Sequence, residues 1–217
     1  MLIPPDKLRK ILIITFGIIF VFLGIQVRFH MIFMQVLDAT TDFAVNNILS
    51  LKIPLYLGLG NLFSHYWVVI PLIAVMVAFL YLINYKIAAW WFAITQLVAM
   101  LLTWVITIIL RIHWQDGPKI GETIPNLLLV WWLQLLLLLV IIMPHLVKSR
   151  KIQVIINILI GLFWLSIMLA RIQSHHMALT SGLGAITFGY FWWQFSAQQY
   201  YKRARHWQKV LEIDGRV

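Results

Sequence analysis

The sequence predicts an all-α fold: a polytopic membrane helical bundle with six transmembrane spans and an amphipathic helix on the outer face. Composition is the first observation that predicts it, since the 217 residues are 62% hydrophobic and only 11% charged, as is typical of integral membrane proteins. The second is a series of six stretches that approach the roughly 20 apolar residues of a spanning helix. The third is a long segment between the first two stretches.

The six predicted spans leave little of the chain for a soluble domain, so residues 1–217 are interpreted as a single integral-membrane domain. Basic residues precede the first span, but no small-x-small cleavage site follows it, which favours a retained anchor over a cleaved signal sequence. The predicted spans are Ile11–Val27, Tyr66–Asn84, Ile87–Leu110, Ile124–Met143, Ile152–Ala170 and Met177–Gln194.

The net charge of +10 is distributed as the positive-inside rule requires. With the N-terminus in the cytoplasm, six spans place 12 of the 17 lysines and arginines on the inner side. This distribution argues against nucleic acid as a partner and favours membrane lipids, with a basic cytoplasmic tail over 201–217 lying against anionic headgroups. We therefore expect a multi-pass plasma-membrane protein with both termini cytoplasmic, bacterial because no organelle signal is present. The inner basic residues are Lys7, Arg9, Lys10, Lys86, Lys148, Arg150, Lys151, Lys202, Arg203, Arg205, Lys209 and Arg216.

The segment between the first two spans has apolar residues near helical spacing over Met31–Leu49, which predicts the outer amphipathic helix. Asp38 and Asp42 are four residues apart and share one face of it, which indicates a solvated face or, alternatively, a cation site. Proline and glycine then predict a turn region before the second span, at Pro54, Gly58 and Gly60.

Tryptophans at or near the predicted span ends are typical of an interfacial aromatic belt. These are Trp67, Trp90, Trp91, Trp131, Trp132, Trp192 and Trp193. The run Thr180–Ala185 consists mostly of small residues, which predicts close packing of the last span against its neighbours. The chain has no cysteine, so disulfides and thiolate chemistry are excluded.

An arginine and two histidines mark the junction before the last span, at Arg171, His175 and His176. They are either interfacial anchors or part of a site that holds a phosphate. The predicted topology places this junction on the same face as the polar loop Arg111–Thr123. Phosphoryl transfer needs cations around the phosphate oxygens, a nucleophile and a proton donor for the leaving oxygen. The two segments together contain these residue types.

This layout resembles the type 2 phosphatidic acid phosphatase superfamily of lipid phosphatases and haloperoxidases. The resemblance covers a core of about 38–193 and rests on six spans, a long first outer segment, a polar loop after the third span and the Arg/His junction. The family signature has three parts, K-x6-R-P, P-S-G-H and S-R-x5-H-x3-D. In that family the last histidine is the nucleophile, the aspartate orients it, the middle histidine protonates the leaving group, and the lysine and arginines bind phosphate.

The third part of the signature fits best. Arg171 occupies the arginine position, His176 follows after four residues instead of five, and Thr180 replaces the aspartate. Of the second part only Pro125 remains, and the first part would fall near 110–118. The resemblance implies that His176 is the nucleophile and that His113 replaces the missing acid. It also implies that the phosphate is bound by Arg171, Arg111 and Lys119.

The resemblance implies a divergent lipid phosphatase-like protein that acts on or binds a phosphorylated lipid, such as phosphatidic acid or a polyprenyl diphosphate, at the outer membrane face. If active, it hydrolyses the phosphate without a metal or another cofactor. The missing histidine and aspartate leave open a catalytically inactive homologue that binds, presents or transports a phospholipid or isoprenoid headgroup.

Two further alternatives are a metal site and a transporter. Histidines and acidic residues of the two outer segments are candidate metal ligands, namely His175, His176, Asp116 and Glu122. A small secondary transporter would have paired half-helices interrupted near mid-membrane, and the mostly uninterrupted spans count against it. No oligomeric state is predicted.

Overall fold

The structure, a computed structural model, describes residues 7–29, 31–49, 52–110, 124–174 and 177–210. Over these ranges the chain is helical and contains no strand, which confirms the predicted all-α fold. The helices are α1 (Arg9–Arg28), α2 (Ile32–Ala44), α3 (Pro54–Leu62), α4 (Tyr66–Leu82), α5 (Lys86–Leu110), α6 (Leu127–Leu146), α7 (Arg150–Gln173) and α8 (Leu179–Val210). A π-helical turn, Val45–Leu49, continues α2, so the helix predicted over this segment is present.

Among the described residues, four helices, α1, α5, α6 and α7, are long and apolar enough to cross a membrane. The pair α3 and α4 adds a fifth if the two helices, bent by 65° at their break, form one span. The chain thus carries the helices of a multi-pass membrane protein. The helix at the predicted sixth span, α8, is less apolar because glycine, serine, threonine and glutamine interrupt its aromatic and aliphatic residues.

The contacts between helices define their relative directions. Trp91 and Thr95 of α5 contact Ser196 and Trp192 of α8 in reverse order, so α5 and α8 are antiparallel. Helix α1 is also antiparallel to α8, through the ring pairs Phe16–Tyr190 and Phe20–Phe188.

Helix α6, in contrast, runs parallel to α8. The segment just before α6 lies against Gly184, and Val130 and Leu133 lie against Gly189. Helix α7 returns along α6, since Trp164 near its end contacts Leu129 near the start of α6. Helices α4 and α5 pack on each other across the short connection 83–85, which makes them antiparallel neighbours. The six helices α1, α4, α5, α6, α7 and α8 therefore alternate in direction.

The core lies around α6 and α8. In α6, 56% of the apolar window is buried, against 17–22% in α1, α5 and α7. Helix α6 lies between α7 and α8, and α8 also packs on α1, α2 and α5. Glycines allow the close α6–α8 contact, because a Cβ on Gly184 or Gly189 would come within 2.8 Å of Ile124 or Leu133 respectively. The predicted packing role of the small-residue run is therefore confirmed at Gly184.

Most of the tryptophans assigned to an interfacial belt lie inside the bundle instead. Trp67 and Trp90 are exposed, but Trp91, Trp131, Trp132 and Trp193 are buried. Five indole Nε1–H groups in the described ranges donate to backbone carbonyls of other helical segments. The pairs are Trp91–Ser196 (3.0 Å), Trp131–Gln96 (3.2 Å), Trp132–Phe63 (2.9 Å), Trp164–Leu129 (3.1 Å) and Trp192–Thr95 (3.1 Å). Span-end position alone does not distinguish a tryptophan that faces lipid from one that faces a neighbouring helix.

The turn region predicted at Pro54, Gly58 and Gly60 is wrong, because these residues belong to α3. Pro54 lies in the first turn, where a missing N–H costs nothing. Gly60 lets α3 approach α7 closely, since a Cβ there would be 2.1 Å from the Ser166 carbonyl oxygen. Tyr56 also donates its hydroxyl to the Leu162 carbonyl. Glycine here serves helix contact and not a turn.

Gly60→Ala is expected to destabilise the protein by about 1–3 kcal/mol, because the added methyl overlaps backbone that cannot move independently of α7. Gly58→Ala is the matched control: nothing lies within 4 Å of its Cβ position, and alanine favours a helix over glycine by about 1 kcal/mol. Thermal unfolding in detergent micelles measures both. Equal melting temperatures for the two variants would contradict the close α3–α7 contact.

Candidate functional site

One end of the bundle collects polar side chains from five segments. The alternating directions bring together the C-termini of α1, α5 and α7 and the N-termini of α4, α6 and α8. Arg28 at the end of α1 donates to the carbonyl of Leu110 at the end of α5, at 3.2 Å. We call this the polar end and define it by Asp38, Ser64, Asn126, Arg171 and Thr180. The helix termini that border segment 111–123 and the α7–α8 connection lie there.

Arg171 lies in the last turn of α7 and is buried, with 6% of its surface exposed. Its Nη1 donates to the carbonyl oxygen of Ser64 at 2.8 Å. Ser64 follows the end of α3, and a cation is favourable beside such terminal carbonyls. An interfacial anchor would extend toward headgroups at the lipid surface, whereas this guanidinium is directed into the bundle. The anchor interpretation of Arg171 therefore does not fit the structure.

Asp38 and Thr180 join α2 to the start of α8. One carboxylate oxygen of Asp38 accepts from the Thr180 backbone N–H and the other from its hydroxyl, both at 2.9 Å. The aspartate thus caps α8 from another helix, where a negative charge is favourable. Burial raises the pKa of the Asp38 carboxyl above its ordinary value of 3.8, and the Thr180 hydrogen bonds oppose that shift.

The regions matched to the second and third parts of the family signature lie side by side. Gly184 contacts Ile124 and Pro125 closely enough that its Cβ position is 3.6 Å from the Pro125 Cα. Asn126 is fully buried and caps α6, accepting from the Leu129 N–H at 3.1 Å. Two segments that are far apart in the sequence, at 124–126 and 180–184, therefore form one wall of the polar end.

Of the predicted site residues, the structure describes Arg171 and places it at the polar end. His176, His113, Arg111 and Lys119 lie outside the described residues, so their proposed roles stay predictions. The metal ligands considered above also lie outside them. Within the described ranges, no three histidine, aspartate or glutamate side chains are grouped so that they would hold a metal ion.

Asp38 is a candidate functional residue that the sequence pattern placed on a solvated helix face or at a cation site. It pairs with Thr180 instead of forming a solvated face with Asp42, whose carboxylate accepts from Asn46 at 3.0 Å within the same helical segment. The aspartate is missing at position 180 of the signature match, and Asp38 brings a carboxylate to that position from another helix. No sequence spacing links residues 38 and 180, so only packing reveals this pair.

Comparison with known proteins finds no matching family model, no matching curated protein and no matching solved structure. The resemblance to type 2 phosphatidic acid phosphatases thus stays a prediction that rests on the residues quoted for it.

Asp38→Ala is expected to lower the free energy of unfolding by about 1–2 kcal/mol, because α8 loses its cap. Thermal unfolding in detergent micelles measures the difference from the wild type.

The charge of Asp38 is tested by Asp38→Asn, which keeps an acceptor for the Thr180 N–H and a hydrogen-bond partner for the Thr180 hydroxyl. Because the folded-state pKa of Asp38 is raised, the folded protein binds more protons than the unfolded chain in the window above pH 3.8. Wild-type stability relative to Asp38→Asn should therefore fall as pH rises through that window. Melting curves from about pH 3.5 to 7 measure it, and a constant difference contradicts the burial of this carboxylate.

Proposed function

We propose that the chain is a multi-pass membrane protein that binds the phosphorylated headgroup of a lipid at its polar end. The observation that carries the proposal is Arg171, a buried cation at the end of an apolar helix. A charged side chain inside a membrane bundle is costly, and such residues commonly mark a ligand or ion site. Arginine suits phosphate because its planar fork donates two parallel hydrogen bonds.

The geometry around Arg171 supports this choice. Nη1 is oriented by the Ser64 carbonyl, so the guanidinium is held in a defined position before a ligand arrives. The N-terminus of α8 begins eight residues after Arg171 and has its N–H groups at the same end of the bundle. Helix N-termini favour anions, although Asp38 already occupies the Thr180 N–H.

We further propose the six-span topology, with the polar end outside and both termini in the cytoplasm of a bacterial cell. Support comes from the alternating directions of six helices. Helix α8 is less apolar than the other helices, but it packs on α1, α2, α5 and α6. Because much of its surface contacts protein instead of lipid, it can cross the membrane without being apolar on every side. The opposite end carries exposed basic residues, Lys148, Arg150, Lys151, Lys202 and Arg203, and the intermediate Lys86, as the positive-inside rule expects of a cytoplasmic face. We call it the basic end.

Transport is a weaker alternative for this arrangement. Helices α3 and α4 form a broken pair, as transporter half-helices do. Inverted-repeat transporters carry a matching break in their second half, and α3–α4 is the one bent pair of this kind within the described ranges. The break also has a packing explanation, since α3 follows α7 from Tyr56 to Ser64.

Arg171→Ala is expected to weaken binding of a short-chain, water-soluble phosphatidic acid by about 10- to 100-fold, as loss of a charge-assisted hydrogen bond implies. The diacylglycerol of the same chain length controls for the phosphate. Arg150→Ala is the matched protein control, because Arg150 begins the same helix and is exposed at the basic end. A titration in detergent micelles measures the affinities.

Arg171→Lys protects this test against misfolding, since it retains a donor to the Ser64 carbonyl while losing the planar fork. Intermediate affinity is expected for it. If Arg171→Lys and Arg171→Ala both fold and bind phosphatidic acid as tightly as the wild type, the headgroup proposal is wrong.

Hydrolysis of the bound phosphate is the second candidate function, and the Asp38–Thr180 pair is the observation that favours it. Thr180 follows His176 by four positions, the spacing at which the family signature has its aspartate. An imidazolium is stabilised by the negative charge of a carboxylate, and the hydroxyl of threonine cannot supply that charge. Asp38 supplies a carboxylate beside Thr180, so the absence of aspartate at position 180 no longer excludes a supported nucleophile.

If the protein is a phosphatase, Asp38→Asn should lower phosphate release from phosphatidic acid by roughly two to four orders of magnitude while α8 stays capped. His176→Ala should abolish release, and His206→Ala, at the far end of α8, should leave it unchanged. Phosphate release by purified protein in mixed micelles measures all three. Release by the wild type that is insensitive to both Asp38→Asn and His176→Ala excludes this mechanism and leaves the binding proposal intact.

A further inference from the structure

A groove of about 360 Å³ lies between the first half of α5 and the second half of α8, at the opposite end of the bundle from Arg171. Its walls are mainly aromatic and aliphatic, formed by Trp90, Trp91, Ile94, Trp192, Phe195 and Trp207. Trp90 and Ile94 are more than half exposed, so the groove opens onto the outer surface of the bundle. Its volume is within the usual range for a small-molecule site.

Four polar groups along the groove, on Trp91, Thr95, Trp192 and Ser196, donate to carbonyls of the protein itself. Trp91 Nε1 donates to the Ser196 carbonyl, and Trp192 Nε1 donates to the Thr95 carbonyl. The Thr95 hydroxyl donates to the Trp91 carbonyl at 2.8 Å, and the Ser196 hydroxyl to the Trp193 carbonyl at 3.0 Å. Since these four donors are already used, the floor suits an apolar chain rather than a polar ligand.

The groove meets positive charge at the basic end. On α8, Arg203 lies midway between Gln199 and Trp207, at spacings of four residues, and both of these residues line the groove. Arg203 therefore lies on the same face of α8 as the residues that line the groove, and its side chain is exposed. On α5, Lys86 lies one turn before Trp90, and its Nζ is 5.8 Å from the Tyr81 ring centroid. Because α5 and α8 are antiparallel, these two cations lie at the same end of the groove.

We propose that this groove is a binding site for one anionic phospholipid, with an acyl chain along the tryptophans and the phosphate between Arg203 and Lys86. An apolar slot that ends in two cations matches the two chemical parts of such a lipid. A second copy of the chain is disfavoured as the occupant because it would present its own basic residues to these cations. The site is independent of the headgroup site at Arg171.

The test is native mass spectrometry of the full-length protein with long-chain phosphatidylglycerol and phosphatidylcholine of identical acyl chains. The wild type should retain one phosphatidylglycerol more tightly than phosphatidylcholine. Arg203→Ala should weaken phosphatidylglycerol binding about fivefold, the effect of one basic residue near an anionic headgroup, while Arg150→Ala, at an exposed position of the same basic end, should not. Ile94→Trp, which fills the groove, should weaken both lipids. Leu101→Trp, at a similarly exposed position on the same face of α5 outside the groove, should weaken neither.

Three results would overturn the proposal. One is equal retention of the two lipids with no effect of Arg203→Ala. Another is unchanged binding in Ile94→Trp, which would place the lipid elsewhere. The third is a protein dimer that Ile94→Trp dissociates, which would make a second copy the occupant. Loss of short-chain phosphatidic acid binding in Arg171→Ala affects none of these outcomes, so this site and the polar end are tested separately.

Discussion

The bundle depends on indole N–H groups that donate to backbone carbonyls of neighbouring helices. Apolar side chains gain little from burial against each other when lipid is equally apolar, so close packing and interhelical hydrogen bonds must hold membrane helices together. Trp91 and Trp192 bridge α5 and α8 in both directions, and Trp131 joins α6 to α5. Trp164 and Trp132 extend the same bonding to α7 and to the end of α3. Helices α5, α6, α7 and α8 are thereby held in one register.

This register positions the residues at both ends. Glycines on α8 and α3 allow close approach to α6 and α7 respectively, and the close approach of Gly60 to α7 places Ser64 within reach of Arg171. The same register places the start of α8 beside α2, so that the Asp38 carboxylate accepts a hydrogen bond from the Thr180 N–H. The geometry of the candidate headgroup site is therefore a consequence of helix packing in the adjacent turns of α3 and α7.

The two ends of the bundle differ in chemistry, and a different lipid contact is proposed for each. At the polar end a buried guanidinium is fixed by a carbonyl and lies at the same end as a capped helix N-terminus. At the basic end exposed cations border a groove whose floor has its donors already used. The first arrangement underlies the proposed headgroup site, and the second underlies the proposed site for a whole phospholipid.

The sequence by itself determined the helical class, the apolar helices, the helix over Met31–Leu49 and the position of Arg171 at a helix end, because hydropathy and periodicity are local properties. It did not distinguish inward from outward tryptophans, and it assigned α3 to a turn, since Pro54 and Gly60 have both uses. Only the tertiary structure decided that Asp38 faces Thr180 and that Arg171 is buried against Ser64. Those pairs are 142 and 107 positions apart, and contacts at such separations follow from the register of packed helices, which no local pattern encodes.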